Sequence, residues 1–158
     1  MADNLSAKQR RECMRAVKGV NTTPELCVRG IVHSMGYRYA LHVRRLPGKP
    51  DIVLVKRRKV IFVHGCFWHK HRCRHGRIAP ATNTQYWNQK REGNAARDRA
   101  HTRLLRAEGW KVLVVWECWT RHPESLAKKL RAFLESGLKE TDQPQRIRRG
   151  SLHSPVSR

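Results

Sequence analysis

Four side chains able to bind a metal, Cys66, His69, His71 and Cys73, fall within eight residues in the stretch KVIFVHGCFWHKHRC, which runs from Lys59 to Cys73. Phe67 and Trp68 stand among them. A hydrophobic core does not require four polar heteroatoms and two large rings in one short loop, but a metal ion does. Thiolate and imidazole are the ligands of tetrahedral zinc, and the Cys-x4-His-x-Cys spacing of Cys66, His71 and Cys73 supplies three of them. The fourth must come from elsewhere, and Cys118, just after the apolar run KVLVVW, is the candidate. Four protein ligands leave no open position for water, so such a zinc is structural and His69 stays free. The competing reading makes Cys118 a core thiol and leaves the loop histidines in solvent. The five cysteines are odd in number and irregular in spacing, which argues against a disulfide frame and for thiols or metal ligands. Cys13 and Cys27 lie in helical patterns, where a small buried hydrophobe is the simpler reading.

Carboxylates are scarce, 12 against 34 Lys and Arg, so an acid at a structured position stands out. Asp51 follows LPGKP and opens an apolar run. Magnesium takes oxygen ligands, usually one or two carboxylates with water and phosphate. Asp51, a backbone carbonyl near Val63 and a phosphate would satisfy it, with His64 and His69 as proton carriers near neutral pH. Spacing alone leaves Asp51 equally well explained as a turn residue after Pro50. Phe67, Trp68 and Trp87 read singly as core, and as a set beside a ligand loop they read as wedges for unstacking bases.

The net charge of +22 repels itself unless something acidic is bound, and nucleic acid is the usual partner. No apolar run approaches the ~20 residues of a membrane span, no basic amphipathic helix has a wide aromatic face, and the opening MADNLSAKQRREC lacks the apolar core of a signal peptide. A cytoplasmic, nucleoid-associated protein is the expectation. At 158 residues, one compact domain is expected.

The elements that position these residues can be read in order. Residues 6–17 form a basic helix capped by Ser6. Thr23 is the expected N-cap of a second helix, with Pro24 at its start, Glu25 complementing the helix dipole, Leu26, Val28, Ile31, Val32 and Met35 buried, and Gly36 at the end. Residues 37–43, 51–55 and 59–63 read as strands, the last two joined by a tight turn at 57–59. That hairpin places Asp51 opposite Val63 and His64. Residues 85–107 read as a helix weakened at Gly93. Residues 111–116, apolar on both faces, are expected to form a central strand, and 123–136 the last helix. The chain divides into an N-terminal arm over 1–20, a core over 21–136 and a disordered basic tail over 137–158. The fold class is α/β, a mixed central sheet flanked by helices.

Six segments taken together, CMRAV, LPGKPDIVL, VIFVHGCFWHKHRC, TQYW, GNAARDR and GWKVLVVWEC, resemble the very short patch repair (Vsr) DNA mismatch endonucleases over roughly residues 6–135. VHGCFWHKH is highly specific; the others gain weight from their order. The resemblance implies a restriction-endonuclease-like fold and a magnesium-dependent nick 5′ of the thymine in a T·G mismatch, the product of 5-methylcytosine deamination. It implies Asp51 as the magnesium carboxylate with the Val63 carbonyl, and His69 as general base. His64, Asp98 and Glu25 follow as supporting residues, with zinc on Cys66, His71, Cys73 and Cys118. Phe67, Trp68 and Trp87 match intercalating rings, Met14 a residue of the N-terminal helix closing on the opposite groove, and Lys90 a contact near the mismatch. The chain departs from the family's pattern at Val63, where a threonine can occur, and in HKHRC, which stands for a run of histidines while keeping the ligand positions. The expected partner is double-stranded DNA, with a MutL-type mismatch-repair protein as a candidate second partner, and the protein reads as a monomer. Two alternatives stand beside this reading: a type II restriction endonuclease cutting matched DNA, and a zinc-stapled DNA-binding module without chemistry.

Overall fold

In a computed structural model, residues 19–137 are described, together with 6, 8 and 9. The elements are α1 (Thr23–Ser34), β1 (Ala40–Leu41), β2 (Ile52–Leu54), β3 (Lys59–His64), α2 (Thr84–Ala107), β4 (Lys111–Trp116) and α3 (Pro123–Glu135), with short 3-10 turns at Val55–Arg57 and Glu117–Arg121. A mixed α/β architecture follows, with a four-stranded sheet and three helices among the described residues. The expected basic helix over 6–17 and its Met14 and Cys13 lie outside them, as does the tail beyond 137. At Ser6 the capping reading is visible, since its Oγ accepts from the Gln9 N–H at 3.2 Å.

The sheet order is β1-β2-β3-β4, antiparallel from β1 to β3 and parallel between β3 and β4. β3 is therefore the inner strand on which both halves converge. The register sets Ile52 against Ile61 and His64 against Trp116. β4 lies at the edge of the described sheet, where a central strand was expected. An apolar run reports that both faces of a strand are covered, which does not require a neighbour on both sides. Leu113 and Val115 pack on one face with α1 and α3, and Val112 and Val114 on the other with Leu105 and Trp110.

Local chemistry shifts several boundaries. Thr22, not Thr23, is the N-cap of α1: its backbone is extended and its hydroxyl accepts from the Glu25 N–H. Glu25 reaches back to Thr22 Oγ1 and to the Asn21 N–H, a capping box whose carboxylate is buried. Val28 and Val32 form the buried face as expected, while Leu26 is 54% exposed and Cys27 only half-buried. Strand β1 keeps two residues of the seven expected. Tyr37 is drawn into the core, its N–H bonded to Val32 O, and His42 adopts a positive φ of 46° that ends the extended run. The turn before β3 begins two residues ahead of the 57–59 placement, as a 3-10 turn over Val55–Arg57, and closes at Arg58 in the left-handed region. α2 runs unbroken through Gly93.

The base of the sheet carries a charge that pattern reading overlooks. Lys59 is 2% exposed, yet its ammonium donates to the carbonyls of Leu134 and Ser136 at 2.6 and 2.8 Å and lies over the Phe133 ring. It satisfies carbonyls that α3 leaves unpaired at its end and ties that end to the start of β3. Truncating Lys59 leaves the Leu134 carbonyl buried without this donor, while Ser136 O keeps the Lys111 ammonium at 3.3 Å. Lys59→Met is expected to lower the free energy of unfolding in urea by roughly 2–3 kcal/mol. An unchanged unfolding midpoint would show the clasp to be dispensable.

Candidate active site and metal centre

Asp51 and Val63 meet where the β2–β3 pairing ends. The Val63 N–H donates to Asp51 Oδ2 at 2.7 Å, which fixes the carboxylate and turns Oδ1 toward the cavity. Glu25 and His42 line the same cavity, His42 lying 3.9 Å from Asp51 Oδ1 and 4.0 Å from Glu25 Oε2. Arg29 ties this side together, donating to Glu25 at 2.8 Å and to the Asn21 side chain at 2.7 Å, with His42 Nε2 at 2.8 Å. Burial pushes the Asp51 carboxyl up to about 6, with Glu25 adding to it against the Val63 N–H. Two acids crowded in one partly dry cavity favour a divalent cation bound by oxygen.

The second half of the site comes from β3, the loop after it and α2. His64 ends β3, His69 lies on the loop, and Asp98 projects from α2. His69 Nδ1 lies 2.5 Å from Asp98 Oδ2, and His64 Nδ1 lies 3.9 Å from the same oxygen. The His64 and His69 rings stack at 4.0 Å and 10°. Burial lowers the His64 pKa to about 4, with His69 adding to the effect, so at neutral pH this ring is uncharged. Burial is the largest single influence on Asp98 and opposes its charge, but the bond to His69 and the nearby His64, His69 and His101 together outweigh it and hold the carboxyl below its ordinary value. An ionised Asp98 accepts a hydrogen bond from the Nδ1–H of His69, which leaves Nε2 with its lone pair. Asp51 and the His69–Asp98 pair line one cavity of about 930 Å³.

The four expected metal ligands also converge. Cys66 Sγ, His71 Nδ1, Cys73 Sγ and Cys118 Sγ all lie within 4.8 Å of one another. His71 Nδ1 is 3.6 Å from Cys66 Sγ and 3.5 Å from Cys118 Sγ. A tetrahedron with metal–sulfur bonds of about 2.3 Å and a metal–nitrogen bond of about 2.0 Å has sulfur–nitrogen edges near 3.5 Å, so the set fits a zinc-sized ion. Burial pushes the Cys66 thiol up to about 12 in the absence of an ion. Around the cluster, Glu117 accepts from the Cys66 N–H at 3.1 Å and Trp116 stacks on His71 at 4.3 Å. At Gly76 a Cβ would sit 2.0 Å from the His71 carbonyl oxygen, so the loop can close only on glycine. His64, His69 and Asp98 form a second group of metal-binding atoms within 4.8 Å.

Arg91 was missed by motif reading, although the loop is fastened through it. It is 4% exposed, donates to Phe67 O at 2.7 Å and Ile78 O at 3.1 Å, and also bonds Gly76 O. Its guanidinium lies over the Phe67 ring at 4.7 Å. Asn94 adds a bond to Trp68 O. The expected wedge residues do cluster: Phe67, Trp68 and Trp87 have ring centroids 5.0–5.9 Å apart. Phe67 and Trp68 are half-buried, and Trp87 is buried beneath them at 9% exposure. Lys90 lines the Asp51 cavity and lies over Tyr86. In sequence, His42, Arg29 and Arg91 carry no motif; an arginine spaced to the buried side of α2 was the only available signal for Arg91.

Comparison with known proteins places these features in a family context. The family model described as DNA mismatch endonuclease Vsr matches residues 2–75. The type II nicking enzyme V.XorIIP of Xanthomonas oryzae pv. oryzae is 49% identical over 135 residues, 85% of this chain and 98% of the relative. The type II nicking enzyme V.NmeAIP of Neisseria meningitidis is 42% identical over 118 residues, 75% and 84% of the two chains. The DNA mismatch endonuclease Vsr of Escherichia coli is 40% identical over 126 residues, 80% of each.

The raised Asp51 pKa has a measurable consequence. Its folded value of about 6 exceeds the ordinary 3.8, so the folded state holds the proton more tightly. Stability is therefore lost as pH rises from about 4 to about 6, and the penalty is complete at pH 7. Asp51→Asn keeps an acceptor for the Val63 N–H and removes the charge. In metal-free buffer this variant should be roughly 2–3 kcal/mol more stable than the wild type at pH 7, with the difference vanishing below pH 4, as read by urea denaturation. Equal stabilities at pH 7 would remove the assignment of Asp51 as a destabilised functional acid.

Proposed function

The chain belongs to the Vsr family of DNA mismatch endonucleases, and from that premise we propose that this nicking endonuclease cuts 5′ of the thymine in a T·G mismatch, using magnesium. The observation that carries the reading is that Asp51 and the His69–Asp98 pair line one cavity bordered by Trp68. A binding module gains nothing from a buried carboxylate that repels phosphate, whereas a hydrolase needs one to hold a cation.

Asp51 and the Val63 carbonyl would hold magnesium, with Glu25 adding negative charge beside it. When bound, the ion offsets charge developing on the phosphoryl group and eases deprotonation of water. His69 takes the proton at Nε2, and Asp98 stabilises the imidazolium that results. Neutral His64, stacked on His69, holds the ring in place without adding charge to it. Cys66, His71, Cys73 and Cys118 would hold zinc as a structural staple, keeping the loop that carries His69 in register with α2. Phe67 and Trp68, backed by Trp87, are the unstacking wedge, and Lys90 contacts the backbone near the mismatch. Because mispaired bases unstack at less cost, the wedge also supplies the preference for mismatched over matched DNA. In this reading the unplaced Met14 approaches from the other groove.

A strand-resolved cleavage assay on T·G mismatched, C·G matched and single-stranded DNA tests the proposal. A magnesium-dependent nick beside the mismatched thymine is expected, weakened at least roughly 100-fold in Asp51→Ala and in His69→Ala. Double-strand cutting of matched DNA would replace the reading with a restriction endonuclease, and binding without cutting would replace it with a DNA-binding module. The staple is tested separately by elemental analysis. One zinc per chain is expected, with metal lost and the loop opened to proteolysis in Cys118→Ser; a metal-free wild type with a protected loop would exclude it.

A further inference from the structure

A second cavity, of about 890 Å³, lies on the other side of the His69–Asp98 pair. His64, His69, Asp98 and Thr102 border both cavities, so these residues form the wall between them. The second cavity is lined by Arg72 from the metal loop and by Arg99, Arg103 and Arg106 from α2, with Trp116 and Val114 of the edge strand as its floor. Arg99, Arg103 and Arg106 recur at spacings of four and three, which sets them on one side of the helix. Lys90, Asn94, Arg97 and His101, again three or four apart, line the Asp51 cavity. His101 and Arg99 are two residues apart, roughly 200° around the helix axis. Helix α2 thus carries two polar faces, separated by the buried side chains of Trp87, Arg91 and Leu105.

The arginines of this cavity differ from those that build the fold. Arg29, Arg58 and Arg91 are each engaged by carbonyls, carboxylates or rings. Among the described residues, no carboxylate lies within ion-pair distance of Arg72, Arg99, Arg103 or Arg106, and Lys70 at the rim is already paired with Glu92. Four uncompensated guanidiniums in one concavity raise the energy of the free protein and are relieved by an oxyanion array. Guanidinium matches phosphate oxygens through paired donors, and the phosphodiester backbone presents them at regular intervals.

Resting on the reading above, we propose that this cavity is a second DNA-backbone site, which holds the duplex flanking the mismatch outside the cleavage cavity. The shared His69–Asp98 wall makes the two sites neighbours, so one DNA molecule can engage both. In this arrangement the arginines add affinity and orientation without touching the scissile phosphate, and they matter only when the DNA is long enough to reach them.

The test uses the full chain in magnesium-free buffer, where binding is read without cutting and does not depend on whether the cleavage proposal holds. Two labelled T·G duplexes are compared, one just spanning the site and one carrying long flanks. Arg99→Gln/Arg103→Gln/Arg106→Gln should bind the long duplex about tenfold or more weakly and flatten its salt slope by about two to three. Affinity for the short duplex, and its single-turnover nicking once magnesium is added, should stay within about twofold. All three arginines are exposed and glutamine is a comparable helix former, so the variant is expected to fold, as circular dichroism will check. A control, Lys56→Gln/Arg121→Gln/Lys128→Gln, removes equal charge from exposed positions that do not line this cavity. Equal losses on both lengths, an equal loss in the control, or no loss at all would each overturn the proposal.

Discussion

The hold of Arg91 on the loop after β3 is the interaction on which the rest of the site depends. Residues 65–78 contain no regular strand or α-helix, and their backbone groups have no ladder to join. A single buried guanidinium on α2 takes up the carbonyls of Phe67, Gly76 and Ile78 and lies against the Phe67 ring. Planar geometry and multiple donors let one side chain do this; a lysine ammonium could not span the three acceptors in the same fixed plane. His69 reaches Asp98 because loop and helix are held at one separation. The Cys66–His71–Cys73–Cys118 cluster brings the same loop against the turn following β4, in a group that could hold a metal ion.

Charge is divided in an orderly way in a protein of +22. Buried cations each have a structural partner, Lys59 at the end of α3, Arg29 beneath Glu25 and Arg91 beneath the loop. Acids gather instead at the cavity, where burial and the charge of Glu25 raise the cost of ionising Asp51 and Asp98 is compensated by histidine. Negative groups in a cavity that must admit DNA are costly unless a cation or a proton-accepting pair uses them. That opposition between substrate charge and site charge is the physical argument for chemistry here, and it is independent of family resemblance.

The aromatic trio has a graded arrangement. Trp87 is buried as a platform, while Phe67 and Trp68 ride on it half-buried at the rim. In the free protein these rings are therefore partly core and partly surface. Gly48 shows the same economy of space on the opposite side: a Cβ there would sit 2.8 Å from His101 Nδ1, so the loop preceding Asp51 lies directly on α2.

Composition, spacing and periodicity by themselves determined the parts of this protein whose physics is local. The charge named the class of partner. The β-branched runs named β2, β3 and β4, and the spacing of Cys66, His71 and Cys73 singled out side chains that the fold gathers with Cys118. The hairpin reading placed Asp51 against Val63, because antiparallel register follows from a short turn. Tertiary structure alone decided the rest. Whether β4 is central or at the edge depends on what packs beside it, and an apolar pattern cannot distinguish a helix from a strand as cover. Thr22 in place of Thr23 as the cap depends on where Glu25 is buried. Arg29 and His42 meet across 13 residues and Arg91 reaches carbonyls 13 to 24 residues away, and a charged residue in sequence does not say which partner it will find. Residue spacing sets two basic faces on α2, and the loop crossing the helix walls them into separate cavities, with His69 and Asp98 bordering both.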